Sequence, residues 1–504
     1  MYSIVLKIFC PEIFLSFCIL YQLLFNTHII NKISLNYPLI NLEIFIQSFF
    51  ILLCLLLLVY NQRFDLLVPN FFFWIDFSTR LLKIILVFFS IFIGFLFWRS
   101  FILQNINFFE FFTFYFFSLL SSLLLLNCSD LIAFYLVIEI QALSFYILAS
   151  IKRNSSFSTE AGLKYFIIGS LSSAFFLLGS FFIYLCLGTL NFKNIEILLS
   201  FSITDDFVVN FIFLGVFFIV VTFFLKVAVA PFHFWAPDVY EGAPIGSTLV
   251  FSLLPKISIF VIFIRWISLF FNFFFTLKFL FLLVGLFSVV FGAYFAFVQK
   301  RLKRFIIYSS ISQIGFLIII LSVNDFNSIN SLFFYLFIYL LTSILLWGNL
   351  ISYNYFSQAY TQYKNKTHNP IFISDLSFYF KINYIWSITF SFIFFSFAGI
   401  PPFSGFLAKV LVLFSIISDY NFLVVFFLVL ITLISSYYYL KIIKILFFDS
   451  DFKLDKKVFY ITKENCSFNF DCLLYSSISF LLIFFFFFPT ILTGAIFLIT
   501  IFLL

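Results

Sequence analysis

The sequence Phe-Leu-Lys-Val-Ala-Val-Ala-Pro-Phe-His-Phe-Trp occupies residues 224–235, at the end of an apolar run that extends over 207–235. Proline has no N–H to donate and its ring clashes with the preceding turn, so Pro231 should interrupt a helix here. A carbonyl freed at membrane depth must find a partner in protein or water, and the break therefore creates a polar pocket. Lys226 lies five residues before this proline, where its ammonium group can use those carbonyls.

A second stretch of the same kind follows later in the chain. Pro-Pro-Phe-Ser-Gly-Phe occupies residues 401–406, so its Pro-Phe pair lies 402 − 231 = 171 residues after the first, and Lys409 follows seven residues after Pro402. Each pair falls in the fourth helix of a set of five apolar runs. An odd number of helices per set makes the second set enter the membrane from the other side, as in the inverted repeats of many transporters. The sequence therefore predicts two inverted five-helix repeats, broken at Pro231 and at Pro401 and Pro402.

The composition of the whole chain is that of a polytopic membrane protein. Of its 504 residues, 64% are hydrophobic and 10% are charged, a balance that soluble domains do not show. Apolar runs of about 20 residues, the length that crosses a bilayer as a helix, recur along the chain. We predict an all-α fold of about 14 transmembrane helices, in which helices 7 and 12 are discontinuous. The 93 phenylalanines are better explained by an AT-rich organelle genome than by function.

The apolar runs divide the chain into four predicted parts. These are three N-terminal helices in 1–105, the first repeat with helices 4–8 in 106–271, the inverted second repeat with helices 9–13 in 272–448, and a polar loop with helix 14 in 449–504. Lysine and arginine are concentrated in the loops after odd-numbered helices. The positive-inside rule places those loops, including 299–303, 354–381 and 449–470, on the negative side and both termini on the other.

Four charged side chains lie inside the predicted helices, and they are Glu139, Lys226, Lys256 and Lys409. A charge at the centre of a bilayer costs roughly 2.5–3.5 kcal/mol on insertion scales, so such residues generally face a protein interior or a water path. A buried lysine near a carboxylate is held between its neutral and charged forms, so it can load and release a proton. Ion pairing that only fixes helix packing is the alternative, but two of the three lysines lie near proline breaks, which favours proton or cation transfer.

The remaining candidates for a site are weaker. His233 follows Pro231 and is interpreted first as a hydrogen-bonded packing residue and second as a proton carrier. None of the seven cysteines forms a Cys-x-x-Cys pair, so neither a metal site nor an iron–sulfur ligand set is predicted. The positive charges are too dispersed for a nucleic-acid surface. The basic segment 300–304 is interpreted first as a loop that sets topology, and contact with anionic lipid is its nearest functional role.

The stretch 224–244 resembles the signature of the antiporter-like membrane subunits of respiratory complex I, the NADH:ubiquinone oxidoreductase. Its Asp-Val-Tyr-Glu-Gly-Ala-Pro portion points to the subunit 2 branch of that family, whose bacterial members are called N. The similarity covers roughly residues 108–450 and continues through 159–166, 302–311 and 398–409. It implies a fourteen-helix antiporter-like fold with two inverted five-helix repeats.

The resemblance also implies roles for the charged residues. Glu139 matches the family's fifth-helix glutamate, which couples to the adjacent lysine, and Lys226 matches the seventh-helix lysine at a helix break. Lys256 matches a central eighth-helix lysine, and Lys409 the twelfth-helix lysine at the other break. A proton would pass from Lys226 through Lys256 to Lys409. Gln313 stands where many relatives have a tenth-helix histidine, and because an amide cannot carry a proton as a charge, a water chain is expected there.

Finally, the resemblance implies a setting for the chain. It is expected to be a proton-translocating subunit of the membrane arm, with NAD, FMN, the iron–sulfur clusters and ubiquinone held by other subunits. Its expected neighbours are the antiporter-like subunit 4, the small subunit 4L and membrane lipids, with no nucleic acid. The expected location is the mitochondrial inner membrane, as a multi-pass protein. A stand-alone or Mrp-type Na⁺/H⁺ antiporter subunit is the alternative. A structural spacer is a third interpretation, which the retention of four buried charges opposes.

Overall fold

The computed structural model describes residues 9–30, 50–59, 73–74, 76–104, 110–200, 205–270, 274–364, 372–378, 384–448 and 469–503. In these ranges the chain is helical, with three isolated β-bridges and no strand. Nine of the described helices are long and apolar enough to cross a membrane, or ten spans if a bent pair near the C-terminus counts as one. The all-α prediction is confirmed.

The first half of the chain begins with three helices and continues with the first set of five spans. The helices are α1 (Cys10–Ile30), α2 (Phe50–Val59), α3 (Phe77–Gln104), α4 (Glu110–Leu125), α5 (Leu131–Ser150), α6 (Ser156–Leu187), α7 (Phe192–Ser200), α8 (Asp206–Val227), α9 (Trp235–Gly242) and α10 (Ile245–Leu269). The short helix α7 lies between the sixth and seventh spans. The short helix α9 follows the Pro231 break.

The second half holds the second set of five spans and the C-terminal span. Its elements are α11 (Phe274–Val298), α12 (Leu302–Leu321), α13 (Phe326–Lys364), a 3₁₀ turn (Ile373–Phe378), α14 (Tyr384–Ala398), α15 (Ser404–Ser418), α16 (Phe422–Phe447), α17 (Asn469–Phe487) and α18 (Pro489–Leu503). The apolar part of α1 (Cys10–Phe25), α2 and α4 are shorter, and so are α14 and α15, which lie on either side of the break predicted in the twelfth span. With these included, the helices fill the fourteen predicted positions.

The predicted break in the seventh span is present. α8 ends at Val227, and Ala228 takes a left-handed conformation with φ 63° while its N–H donates to the carbonyl of Phe224. A left-handed residue ends a helix because it turns the chain away from the hydrogen-bonding ladder. The Ala230–Pro231 peptide is cis, and the chain becomes helical again only at Trp235.

The break in the twelfth span is built in the same way. α14 ends at Ala398, Gly399 is left-handed with φ 78°, and its N–H donates to the carbonyl of Phe395 at 3.1 Å. The Pro401–Pro402 peptide is cis, and α15 begins at Ser404. The two left-handed residues are 399 − 228 = 171 positions apart, which is the spacing of the two prolines.

The fourteenth span differs from the single helix that is predicted for it. Leu474–Phe487 and Pro489–Leu503 form two helices that are bent by 87° relative to each other. The sequence offers Pro489 as the cause, because proline cannot donate the N–H that would continue α17 but is well accommodated in the first turn of a new helix. Both halves are apolar, so hydropathy alone does not reveal the bend.

The chain divides into two compact units. The first comprises Met1–Ala228, Gly242–Leu277 and Leu498–Leu504, and the second comprises Val229–Glu241 and Lys278–Phe497. Lys226 and Lys256 therefore belong to the first unit, and Lys409 belongs to the second. The four-part division from the sequence remains a prediction.

Two glycines bring α6 and α8 close together in the first unit. A Cβ added to Gly179 would lie 2.7 Å from the carbonyl oxygen of Gly215, and one added to Gly215 would lie 2.9 Å from that of Gly179. Helices in a membrane associate through such close van der Waals packing, since lipid is as apolar as their side chains. This contact fixes the spacing of α6 and of α8, the helix that carries Lys226.

Two basic loops lie together in the second unit. Arg301 forms an isolated bridge with Phe372, and the N–H of Ile373 donates to the carbonyl of Lys300 at 2.9 Å. The loop after the ninth span therefore touches the 3₁₀ turn that follows the eleventh span. This confirms the predicted shared side for these two loops. The third loop and both chain ends lie outside the described residues.

Candidate functional site

Glu139 and Lys226 face one small cavity in the first unit. Glu139 lies on α5 and Lys226 in the last turn of α8, and Ser172 and Thr222 also line the cavity. It offers about 10 Å³ to the centre of a water molecule, which is room for roughly one water. Oε1 of Glu139 is buried without a hydrogen-bond partner in the described part of the chain. Because such a buried oxygen is costly, the ammonium group that shares its cavity is the natural compensating charge.

Lys256 is the second lysine of the first unit. Its side chain is only 7% exposed, and it lies on α10, which packs against α3, α4, α5, α7 and α8. Pro255 directly before it cannot donate to the carbonyl of Phe251, so the helical ladder is interrupted next to the lysine. The structure thus places a lysine beside a proline in the most enclosed spanning helix of this unit.

Lys409 is held by the break in the twelfth span. Its Nζ donates to the carbonyl oxygens of Phe397 at 2.5 Å and Ala398 at 3.1 Å, the last two residues of α14. A helix end leaves such carbonyls without an intrahelical partner. Gly399 makes room for the lysine, because a Cβ there would lie 2.9 Å from its Cδ. The expectation that a lysine takes carbonyl ligands at a break is confirmed for Lys409.

Gln313 lies in the same cavity as Lys409, between two tyrosines. The hydroxyl of Tyr335 donates to Oε1 of Gln313, and Nε2 of Gln313 donates to the hydroxyl of Tyr439 at 3.5 Å. The cavity offers about 20 Å³ to the centre of a water molecule and is also lined by Thr342. The water chain that the sequence predicts at this step stays a prediction. The structure places two tyrosine hydroxyls on the amide, which no spacing in the sequence reveals.

His233 is packed within the second unit. Its ring is 3% exposed and stacks on Phe234 with 4.6 Å between the ring centroids, and Tyr308 lies at 6.3 Å. The ring contacts agree with the packing interpretation, and the proton-carrier role stays a prediction.

The carboxylates that follow the first break are bound by the basic segment. In the second unit, Arg304 contacts Glu241 through Nε and Asp238 through Nη2 at 3.1 Å, and Arg301 contacts Glu241 at 2.7 Å. The short helix α9 is thereby fixed to the start of α12. The segment interpreted from sequence as a topology-setting loop therefore also anchors the residues after Pro231.

A buried ion pair in the N-terminal helices is absent from the sequence-based predictions. Lys83 on α3 contacts Glu12 on α1, and the two side chains are 2% and 4% exposed. Both residues lie near the ends of apolar runs, where a charge is usually solvated, and they are 71 positions apart. Only the paired signs within two adjacent helices could have suggested the contact.

Comparison with known proteins gives one matching family. The model of the NADH:quinone oxidoreductase/Mrp antiporter transmembrane family matches residues 128–435. The chain is 37% identical over 348 residues to NADH-ubiquinone oxidoreductase chain 2 of Oenothera berteroana, covering 69% of this chain and 68% of the relative. It is 33% identical over 335 residues to NADH-quinone oxidoreductase subunit N of Pelagibacter ubique, covering 66% and 68%.

Solved structures share the fold at lower sequence identity. A chain of respiratory complex I from Thermus thermophilus superposes with a TM-score of 0.73 at 20% identity, over 96% of this chain and 99% of that chain. A chain of the Mrp complex from Dietzia superposes with a TM-score of 0.78 at 16% identity, over 97% and 96%. At these identities the likeness concerns the fold alone.

Proposed function

We propose that this chain translocates protons. It belongs to the NADH:quinone oxidoreductase/Mrp antiporter transmembrane family, which also includes the chain 2 and subunit N proteins. It is an antiporter-like membrane subunit of complex I. The proton path that we propose uses Glu139, Lys226, Lys256 and Lys409. The observation that carries this proposal is the placement of three lysines at interruptions of spanning helices, with Lys256 and Lys409 buried and Lys226 half-buried.

The first unit would load and release a proton through its carboxylate and lysines. When Glu139 is ionised, its negative charge stabilises the protonated form of Lys226 in the shared cavity. When Glu139 becomes neutral, that stabilisation is lost and Lys226 releases its proton more readily. In the low dielectric of a membrane interior such coupling is much stronger than in water. The released proton would move to Lys256, whose enclosed position in α10 keeps it away from lipid.

The second unit would receive the proton at Lys409. The carbonyl oxygens of Phe397 and Ala398 stabilise the charged ammonium group, so this lysine can hold a proton without a carboxylate partner. The Tyr335 hydroxyl, the Gln313 amide and the Tyr439 hydroxyl form a neutral chain beside it. These three hydrogen-bonded groups would hold the polar surroundings of Lys409 in place, while the lysine itself carries the proton.

The chain would act as part of a larger assembly. We propose that NAD, FMN, iron–sulfur clusters and ubiquinone bind to other subunits of the complex. We further propose the antiporter-like subunit 4 and the small subunit 4L as neighbours, and the mitochondrial inner membrane as the location. The relatives include chain 2 of Oenothera berteroana and subunit N of Pelagibacter ubique, which support a respiratory membrane in either setting.

The test compares two substitutions of Lys226 in the assembled complex in vesicles. Lys226→Ala should abolish most proton pumping and coupled quinone reduction, while NADH oxidation by an artificial acceptor stays near wild type. Lys226→Arg should fail as well, because arginine with a pKa above about 12 cannot release its proton usefully. Lys152→Arg, at an exposed position, is the control. Normal pumping by Lys226→Arg would make Lys226 a structural counter-charge.

A Na⁺/H⁺ antiporter subunit is the second candidate. The matching family model covers Mrp antiporters as well as NADH:quinone oxidoreductase subunits, which keeps this candidate open. The two functions differ in what drives the proton. Sodium-dependent proton exchange in vesicles that lack NADH would support the antiporter, and pumping that requires NADH and quinone would support the complex I subunit.

A further inference from the structure

A cavity of about 440 Å³ opens in the second unit beside its two basic loops. It lies where α11 and α16 end, next to the start of α12 and the 3₁₀ turn. Pockets for small molecules commonly have volumes of about 300–1,000 Å³. The cavity is separate from the one that holds Lys409, since the two share no lining residue.

The polar part of this cavity carries two lysines. Lys300 and Lys441 both line it, and both are exposed. Neither ammonium group makes an ion pair or side-chain hydrogen bond in the described ranges, and no carboxylate lines the cavity there. Ser374 and Ser377 stand on the same wall, and their hydroxyls donate to Oδ1 of Asp375 at 3.5 Å and to the carbonyl of Ser374 at 3.0 Å. The Asp375 carboxylate is not among the groups that line the cavity. The two lysines therefore make the lining of the mouth positive, which suits a phosphate group.

The rest of the wall is apolar and runs along the spanning helices. Phe297 near the end of α11 and Ile445 near the end of α16 line this part. A free phosphate ion would leave such a wall facing water, and a neutral apolar molecule would leave the lysines uncompensated. A molecule with a phosphate head and hydrocarbon tails matches both parts at once.

The position of the cavity agrees with a ligand from the bilayer. It lies at the ends of two spanning helices, on the side where the Arg301–Phe372 bridge joins the basic loops. Basic pockets between spanning helices on the positively charged side of membrane proteins bind anionic lipid head groups. We propose that this cavity binds one anionic phospholipid, with its phosphate at Lys300 and Lys441 and an acyl chain along Phe297 and Ile445.

The back of the cavity touches the polar core of the second unit. Tyr438 lines the cavity, and its ring lies 4.5 Å from that of Tyr439, the hydrogen-bond partner of Gln313. A bound acyl chain would restrict the Tyr438 ring. The binding proposal itself does not depend on proton transfer, and it is tested by binding alone.

The test uses a photoactivatable phosphatidylglycerol in vesicles that contain the assembled complex. Labelled peptides are mapped by mass spectrometry. Lys300→Gln combined with Lys441→Gln removes both charges, and the matched control is Lys152→Gln combined with Lys444→Gln, two exposed lysines outside the cavity. At about 1 kcal/mol per lysine near a membrane surface, the first pair should weaken labelling of the cavity roughly thirty-fold, and the control should leave it unchanged.

A third variant, a phosphatidylcholine probe and inorganic phosphate distinguish an anionic phospholipid from other occupants of the cavity. Ser374→Trp narrows the mouth but keeps both lysines, so it should also reduce labelling. Equal labelling by a phosphatidylcholine probe, displacement of the lipid by millimolar inorganic phosphate, or labelling that survives the loss of both lysines would each overturn the proposal. Absence of lipid labels in the wild-type cavity would do the same, and would point to a protein segment as the occupant.

Discussion

The lysines of the two units differ in what stabilises their charge. Lys226 shares a cavity with a carboxylate, whereas Lys409 is bound by two carbonyl oxygens at a helix end. A carboxylate can lose its charge when a proton arrives, but a carbonyl cannot. Lys226 is therefore open to control by its neighbour, and Lys409 keeps a fixed environment. This difference follows from the glutamate on α5, since no carboxylate is found among the described residues that line the cavity of Lys409.

Gln313 gives a prediction at the same scale. Gln313→Leu removes the amide that joins the two tyrosines, so the buried Tyr335 hydroxyl loses its acceptor. This should cost about 1–3 kcal/mol of stability. Proton pumping should fall, because the polar surroundings of Lys409 lose their order. Gln313→His keeps a donor and an acceptor between the two tyrosines and should retain pumping. Thermal unfolding and pumping of both variants check this, and full pumping by Gln313→Leu would show that the chain of hydroxyls is not used.

At the scale of elements, proline position accounts for much of what the sequence could predict. Pro231 and Pro402 mark both breaks correctly because each lies inside a long apolar run that can only be a spanning helix. Pro489 also lies inside an apolar run, but so does Pro255, through which α10 continues. Proline position alone therefore does not say which of these two spans is bent. The carbonyl ligands of Lys409 follow from the break, whereas the tyrosines around Gln313 come from α13 and α16 and depend on tertiary packing.

The attachment of α9 to α12 gives a prediction for an element. Glu241 is 17% exposed and bound by two arginines, so a double-mutant cycle of Arg304→Ala and Glu241→Gln should yield a coupling free energy of about 1–2 kcal/mol. The Lys164–Glu160 pair on α6 is the control, since both side chains are largely exposed and such pairs yield about 0.3–0.5 kcal/mol. Unfolding of the purified complex measures both cycles. Equal coupling in the two would mean that α9 is held by its apolar contacts instead.

At the scale of the whole molecule, the number of membrane crossings between two loops decides whether they share a side of the membrane. The contact between Lys300 and Ile373 joins the loops after the ninth and eleventh spans. The loop after the twelfth span, at Tyr420, should then face the other compartment, because one more crossing separates it from the 3₁₀ turn. The compartments themselves cannot be read from helix packing, since their assignment depends on loop charge and not on any contact.

A labelling experiment checks this topology. Ser374→Cys and Tyr420→Cys place thiols at two exposed positions on opposite predicted sides. A membrane-impermeant thiol reagent should label them from opposite faces of sealed vesicles, with Ser374→Cys reacting from the matrix or cytoplasmic face. Labelling of both from one face would contradict the count of crossings between them.

The position of Lys409 within α15 has a consequence for how the chain can change in length. The helix begins at Ser404, directly after the break, and Lys409 lies five positions further on. Deleting one helical residue between Ser404 and Lys409 would turn the lysine by about 100° around the helix axis and shift it by about 1.5 Å relative to the break. Lys409 would then point away from the carbonyls of α14. The number of residues from the break to the lysine is thus fixed by helix geometry.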